Sequence, residues 1–570
     1  MKVKSDTISN KEIARAFKLA ASLLELHDEN PFKVRSLQNA AFKVERLPSP
    51  ISEMHDEEIG KLDGIGKGIQ GKIKEYIDHS SFEELDTLLE KTPAGVVQML
   101  AIKGIGPKKV KVLWNELGVE SPGELLYACN ENRLVELKGF GTKTQDLIIK
   151  SIEYSQSNEG KFLYANVEVI ALQLEKDFKQ SGLISEISFT GALRRRCEII
   201  EILELVIAGT KLNEFTKFLE AHPIIDEGSV HSVTNKIEAK IAGKLPLHIF
   251  TSDAKNFANT LFISSASENH LQNLKENYGW KEDPAAESEE EIYSALKLPF
   301  IEPELREGLF EFDLAGKGAM PELVQLKDLK GILHNHSTYS DGEHSLEEMA
   351  KYCKELGYEY LGICDHSKSA FYANGLQPDR ILKQHAEIEK LNATLSPFKI
   401  FKGIESDILN DGSLDYPDDI LKTFDFIVAS IHSNLRMDIE KATTRLITAI
   451  ENPYTTILGH PTGRLLLARE GYPIDHKKVI DACAANEVII ELNANPYRLD
   501  IDWRHIQYAL SKNVMVSINP DAHRKEGYHD MYYGVCSARK GGLTKNMTFN
   551  ALSLDLVSET FINRTRMTRM

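Results

Sequence analysis

The chain has 570 residues, too many for one hydrophobic core, so two to four domains are expected. Its 42% hydrophobic content is ordinary for a globular protein, and its longest apolar run, IIEILELVIA, is too short and too acidic to span a bilayer. A net charge of -17 argues against bulk attraction to nucleic acid, which leaves local contacts through loops and basic patches.

The opening MKVKSDTISN lacks the apolar stretch of a secretory signal. The six cysteines (Cys129, Cys197, Cys353, Cys364, Cys483 and Cys536) are scattered, with no CxxC pair. This points to a reducing cytoplasm, with neither a disulfide framework nor a thiolate zinc site. Ser9 and Asn10 precede a helical pattern in which Ile13, Phe17, Ala20 and Leu24 recur, and the turn DENP ends it. Up to about residue 155 the pattern stays helical and contains a repeat: LDGIGKGIQGKIKEYI (Gly64, Gly66), IKGIGPKKVKVLW (Gly104, Gly106, Lys108) and LKGFGTKTQDLIIK (Gly139, Gly141, Lys143). In each, glycines allow a tight turn and the next helix offers its N-terminus to an anion. This is how a helix-hairpin-helix grips a DNA phosphate without reading sequence. The bland alternative is a set of glycine helix stops. From 160 to 310 strand-like runs (EISF, IIEILELVIAG, LPLHIF) mix with helices, and 303–325 reads as a linker. From 331 on, apolar strands alternate with helices as in βα units.

Those last 240 residues repeat one arrangement, a His or an acid at the end of a short apolar run. The positions are His334 and His336 in LHNHS, Asp341 in SDG, His366 in CDHS, Glu405 in GIESD, His432 in SIHS, His460 in GHP, and Asp521 and His523 in PDAHR. A single His is more often structural than ligating. Nine donors at strand ends would converge on the mouth of a β/α barrel and suit a multi-metal hydrolase. Imidazole with carboxylate fits Zn²⁺, Mn²⁺ or Fe²⁺.

With these strings in place, the chain resembles bacterial and archaeal family X DNA polymerases fused to a C-terminal PHP (polymerase and histidinol phosphatase) domain. The resemblance rests on NKEIARAFKLAASLLELHDENPFKVRS, the three repeats, GALRRR, IEPELRE, and LHNHSTYSDG, CDHS, GIESDI, ASIHSN, GHPTGRLL, ELNANPYRLD and NPDAHR. It implies a multidomain α+β and α/β chain. The expected parts are a lyase-like helical domain (1–90), fingers (91–157), a nucleotidyltransferase-like palm (158–235), a thumb (236–312), a linker (313–330) and a distorted (β/α)7 PHP barrel (331–570). It further implies three divalent ions. His334, His336, Glu405 and Asp521 would hold the first, Glu405 with His432 and His460 the second, and Asp341, His366 and His523 the third.

Two departures from that family matter. Its palm carboxylates fall on Ile202, Glu204 and Pro246, so no Mg²⁺ pair and no template-directed synthesis is expected there. The second lies beside the family's Schiff-base lysine: Lys72 occupies that position, but the companion position that is often Lys in the family's lyases is Gly68, and Lys72 reads more readily as a phosphate-contacting or surface lysine. Arg194 and Arg195 of the RRR run, with Arg464 and Arg524 in the barrel, are candidate phosphate contacts or plain basic side chains; Lys368 and Arg498 stand in the same position. Asp365 and Asp407 are candidate supports for ligating imidazoles. The expected function is a metal-dependent 3′→5′ exonuclease, acting as a monomer on gapped, recessed or damaged DNA in the cytoplasm, away from any membrane. A surviving gap-filling polymerase, a histidinol-phosphatase-like enzyme and a non-catalytic DNA-binding scaffold are the alternatives.

Overall fold

The computed structural model describes residues 8–567 except 48, 63, 64, 103, 136, 138, 157–159, 210, 283–285 and 319, with only the backbone of 154–156 and 564–567. The chain forms two compact units, Met1–Glu153 and Tyr154–Met570. Among the described residues, no helix is long and apolar enough to cross a membrane. All six cysteines are free thiols.

The first unit is helical. Its opening helix, Asn10–Leu26, starts where Ser9 and Glu12 close a reciprocal capping box, satisfying N–H groups that have no partner within the helix. Ile13, Phe17, Ala20 and Leu24 are all buried along one face, as the periodicity requires. The helix Pro31–Glu45 packs against it, with Asn30 as its cap.

The second unit contains two sheets and a small strand pair, β1 (Phe162–Leu163) with β3 (Ile199–Ile200). The first sheet has five strands: β2 (Glu186–Phe189), β4 (Leu203–Ala208), β5 (His231–Val233), β6 (Lys236–Ile241) and β7 (Leu245–Ser252). Their order is β2-β4-β7-β6-β5, with only β4 and β7 parallel. The sheet therefore continues past the palm–thumb boundary expected at 235, because the hydrophobic alternation of 236–252 pairs with β4 rather than starting a new layer. The expected 313–330 linker also proves to be packed structure. Val324 and Leu329 are buried, Val324 N–H donates to the Leu543 carbonyl at 2.9 Å, and a helix at Glu311–Gly316 has its first acid taking the N–H groups of Gly308, Leu309 and Phe310.

The second sheet is a seven-stranded parallel barrel, nearly closed. Its strands are β8 (Gly331–Ile332), β9 (Tyr360–Ile363), β10 (Lys399–Asp407), β11 (Phe426–Ser430), β12 (Ile457–Leu458), β13 (Ile489–Asn493) and β14 (Val516–Asn519), in chain order around the wall. An Asn335–Ala522 bridge joins the two ends just beyond the strands. β9, β11, β13 and β14 are buried at every residue, as expected for parallel strands covered on both faces. The final helix, Leu554–Met567, puts Phe561 against Phe401 and Phe426 near the starts of β10 and β11, at centroid distances of 5.1 and 5.0 Å. A Cβ on Gly362 or Gly403 would lie 2.4 or 2.5 Å from Phe426, so these two glycines make the room for that ring. One end of the barrel is thus sealed with aromatic packing. The other is the mouth.

Candidate metal centre

The nine donors meet at that mouth. His334 and His336 follow β8, His366 follows β9, Glu405 lies in β10, His432 follows β11, His460 follows β12, and Asp521 and His523 follow β14. Asp341 enters from the loop that leads to the helix Leu346–Glu355. Glu405 is the hub: imidazole nitrogens of His366, His460, His432 and His334 lie 2.9, 3.0, 3.1 and 3.3 Å from its oxygens. His336 Nε2 lies 2.9 Å from Asp521 Oδ1, and His523 Nε2 lies 3.3 Å from Asp341 Oδ1. Within the second unit three compact donor groups emerge: His336, Asp341, His366 and His523; His334, His336 and Asp521; and His366, Glu405 and His432. His336 and His366 each belong to two of them, so the donors form one continuous cluster rather than three separate pockets.

Charge and burial are balanced against each other here. Burial works to neutralise Glu405, but His432, His334 and His366 hold its carboxyl well below the usual range. Burial also opposes charge on His432, yet Glu405 and Asp407 raise it to about 9. Burial, with His523 and His366 nearby, pushes His336 down to about 3. The fit to cations rests on stereochemistry. His334 Nε2, both ring nitrogens of His366 and Glu405 Oε2 are buried and form no hydrogen bond, although His366 Nδ1 and Glu405 are 2.9 Å apart. These atoms face a shared space rather than each other, which suits coordination by His and carboxylate.

The supporting acids divide by role. Asp407 Oδ1 takes His432 Nδ1 at 2.6 Å, orienting that imidazole. Asp365 touches no ligating ring. It accepts from Ser337 N and Oγ, Ser340 N and Oγ, and Gln384 Nε2, and so braces the loop leading to Asp341. A third acid escaped the sequence reading. Glu491, in the middle of β13, accepts from His334 Nδ1 at 2.7 Å and from the His460 backbone N–H at 3.2 Å. Its signal was an acid inside the apolar run EVIIEL, the same signal that revealed Glu405.

The hairpin motifs lie in the first unit. Gly66 and Gly106 cap the helices Lys67–His79 and Pro107–Leu117, and Gly141 precedes the helix Thr142–Gln156. Gly104 (φ 97°) and Gly139 (φ 91°) adopt backbone conformations that side chains disfavour. Lys108 and Lys143 are exposed in the first turns that follow. Gly64 lies outside the described residues. Lys72 is ion-paired with Glu84 at 3.1 Å.

Comparison with known proteins agrees with these parts. Residues 8–82 match a helix-hairpin-helix domain, 96–153 a SAM-like helix-hairpin-helix tandem, and 333–495 the PHP domain. The DNA polymerase/3′-5′ exonuclease PolX of Bacillus subtilis (strain 168) is 36% identical over 575 residues, spanning 97% of this chain and 99% of that one. The chain belongs to the PolX family. Its PHP region also resembles probable phosphatases of Caldanaerobacter subterraneus subsp. tengcongensis (37% over 176 residues, 30% of this chain and 65% of that one) and Thermoanaerobacter sp. (26% over 228 residues, 38% and 88%).

Within this PolX chain, the strand-like run IIEILELVIAG is broken into two strands. Glu198, Glu201 and Glu204 do not share one strand, because β3 ends at Ile200 and β4 begins at Leu203. Ile202 sits in the bend between them, Glu204 faces His248 across β4 and β7, and Pro246 faces Lys240. Burial raises the Glu204 carboxyl. Glu198 accepts from Trp503 Nε1 and Arg504 of the barrel at 3.2 and 3.0 Å.

The arginines read as phosphate contacts are mostly engaged elsewhere. Arg194 makes a bidentate pair with Glu289 at 2.9 and 2.5 Å, and Arg195 pairs with Glu307 at 2.9 Å. Arg464 pairs with Asp502 at 2.5 Å and donates to the Arg498 and Leu499 carbonyls. These three are structural clamps, because carboxylates far along the chain reach them in the folded state. Arg498 is buried, 3.8 Å from Asp521, and Lys368 lies over the Tyr416 ring. Arg524 is exposed beside His523.

Proposed function

We propose that this PolX chain is a metal-dependent 3′→5′ DNA exonuclease whose reaction occurs at the barrel mouth, with the hairpin unit gripping the DNA backbone and the palm no longer polymerising. The observation that carries the reading is the convergence of buried imidazoles and carboxylates at the barrel mouth, among which His334 Nε2, both ring nitrogens of His366 and Glu405 Oε2 form no hydrogen bond. Zn²⁺, Mn²⁺ or Fe²⁺ held by these donors would supply Lewis-acid charge to a phosphodiester and to water. Glu405 would hold an ion with His366 and His432, the neutral His336 would offer a free lone pair, and Asp407 and Glu491 would keep His432 and His334 in ligating tautomers. Exposed Arg524 would meet a phosphate oxygen. Gly104, Gly106, Lys108, Gly139, Gly141 and Lys143 would hold the duplex at gapped, recessed or damaged ends.

Loss of synthesis rests on the palm positions: Ile202 and Pro246 offer no carboxylate, and Glu204 alone cannot hold two Mg²⁺ ions. Two other readings have some support. The B. subtilis relative is named a polymerase as well as an exonuclease, and the PHP region resembles probable phosphatases. The paired hairpin domains argue for DNA over a small phosphate ester.

One gel, run beside an assay on a small phosphate monoester, tests all three. It uses 5′-labelled gapped and recessed DNA with Mn²⁺, with and without dNTPs, and compares the wild type with His336→Ala. Shortening by the wild type that His336→Ala abolishes is the expected result. Lengthening with dNTPs would overturn the claim for the palm. Intact DNA alongside hydrolysis of a small phosphate monoester would favour the phosphatase.

A further inference from the structure

The loop after His366 carries Phe371, 85% exposed, the most exposed large apolar side chain among the described residues. Burying a phenyl ring is favourable, and a slack loop could fold this one inward. The loop is braced instead. Its ends are joined by the Leu376 N–H donating to the His366 carbonyl at 2.8 Å, and the Ser367 N–H donates to the Glu405 carbonyl at 3.0 Å. Ser369 is held twice, its N–H by Asp415 at 2.7 Å and its hydroxyl by Asp407 at 2.8 Å, the same Asp407 that orients His432. A Cβ on Gly375 would lie 1.9 Å from the Ser367 carbonyl, so the loop closes as tightly as its backbone allows. The ring next to Phe371, Tyr372, lies 6.2 Å from the His366 imidazole. Phe371 is therefore held in the open at the rim of the donor cluster, on a frame anchored to the ligands themselves.

Cations share that frame. Lys368 belongs to the loop, and Arg380 donates to the Asn374 carbonyl at 2.8 Å. An exposed aromatic face, nearby positive charge and a phosphoester-type donor set together match one nucleotide of a DNA strand: base, phosphate and the bond to be cut. We propose that Phe371 is a stacking platform for the unpaired nucleobase at the 3′ end of DNA, holding the terminal nucleotide out of the helix over the metal centre. The inference deepens the exonuclease reading and rests on it. Every base has a π-face, so such a platform tolerates any sequence but requires a base, and it favours frayed or single-stranded ends. Phe371 touches no donor and acts by positioning.

The test reads binding separately from cleavage. Short 5′-fluorescein oligonucleotides, one ending in a 3′-thymidine and the other in a 3′-abasic residue, are titrated by anisotropy with the full chain in Ca²⁺. Their shortening is then followed in Mn²⁺. The wild type is expected to bind the base-bearing end about tenfold more tightly. Phe371→Ala should erase that preference and Phe371→Trp should restore it, with the thermal midpoint of unfolding unchanged. A wild type without the preference, or a preference that survives in Phe371→Ala, overturns the platform. Base-dependent binding without shortening would instead sink the exonuclease reading and leave the platform standing.

Discussion

Glu491 shows how much a single buried acid can do without touching a metal. It takes the Nδ1–H of His334, which leaves Nε2 of that ring as the lone pair facing the cluster, and its other oxygen takes the backbone N–H of His460. Glu491→Gln keeps the shape and removes the charge. It should weaken binding of the ion at His334 by 10- to 100-fold, read by chelator competition, with little change in the fold. A different kind of titration applies to His385, whose ring packs edge-on against Phe424 and whose Nε2 finds no hydrogen bond. Burial, with Lys402 adding to it, lowers its pKa to about 4. Unfolded, it titrates at about 6.5, so the neutral buried form stabilises the fold above that value. That contribution is lost as pH falls from about 6.5 towards 4, when the unfolded chain takes up the proton first. Denaturant midpoints measured across that window should fall less steeply for His385→Leu than for the wild type. At this scale the ligand residues were readable because each declares itself locally, an acid or His at the end of an apolar run. Arg194 and Arg464 were not readable, because the carboxylates that claim them, Glu289 and Asp502, come from other parts of the chain.

Among elements, the join between the palm-like sheet and the barrel is the part that sequence motifs left undescribed. The GALRRRC segment docks onto the barrel helix Met531–Lys540. Arg196 donates to the hydroxyls of Tyr164 and Tyr532, lies 3.5 Å from Glu168, and has its guanidinium over both tyrosine rings. Lys540, almost wholly buried, pairs with Glu307 and donates to the Arg195 carbonyl. Removing one partner from such a network leaves its acids desolvated and unpaired. Arg196→Ala should therefore cost about 3 kcal/mol, seen as a lower denaturant midpoint, while DNA binding by the hairpin unit is retained. Three adjacent arginines look the same in sequence whether they face a phosphate or a ring of glutamates. The helical and βα patterns, in contrast, were readable as periodicity, down to the helix start at Ser9 and Asn10 and the buried Ile13, Phe17, Ala20 and Leu24.

The chain forms two compact units, and metal should stabilise only the one that contains the barrel. Ions that bind the folded barrel and not the unfolded chain raise its stability by mass action, about 3 to 4 kcal/mol at 100 to 1,000 times the dissociation constant. Stripping with EDTA should lower the melting transition of the barrel by several degrees and leave that of the helical unit in place, as followed by calorimetry before and after reloading with Mn²⁺. By itself, the amino-acid order determined the helical repeats, the parallel barrel and the nine imidazoles and carboxylates gathered at its mouth. Those features are written in short-range periodicity and in residues that end a strand. Tertiary structure alone decided which cations are free and which are clamped, that the sheet runs through residue 252, that 313–330 is packed, and that Glu491 holds His334. Each of these depends on which distant groups the fold brings within hydrogen-bonding reach, and no local pattern encodes that distance.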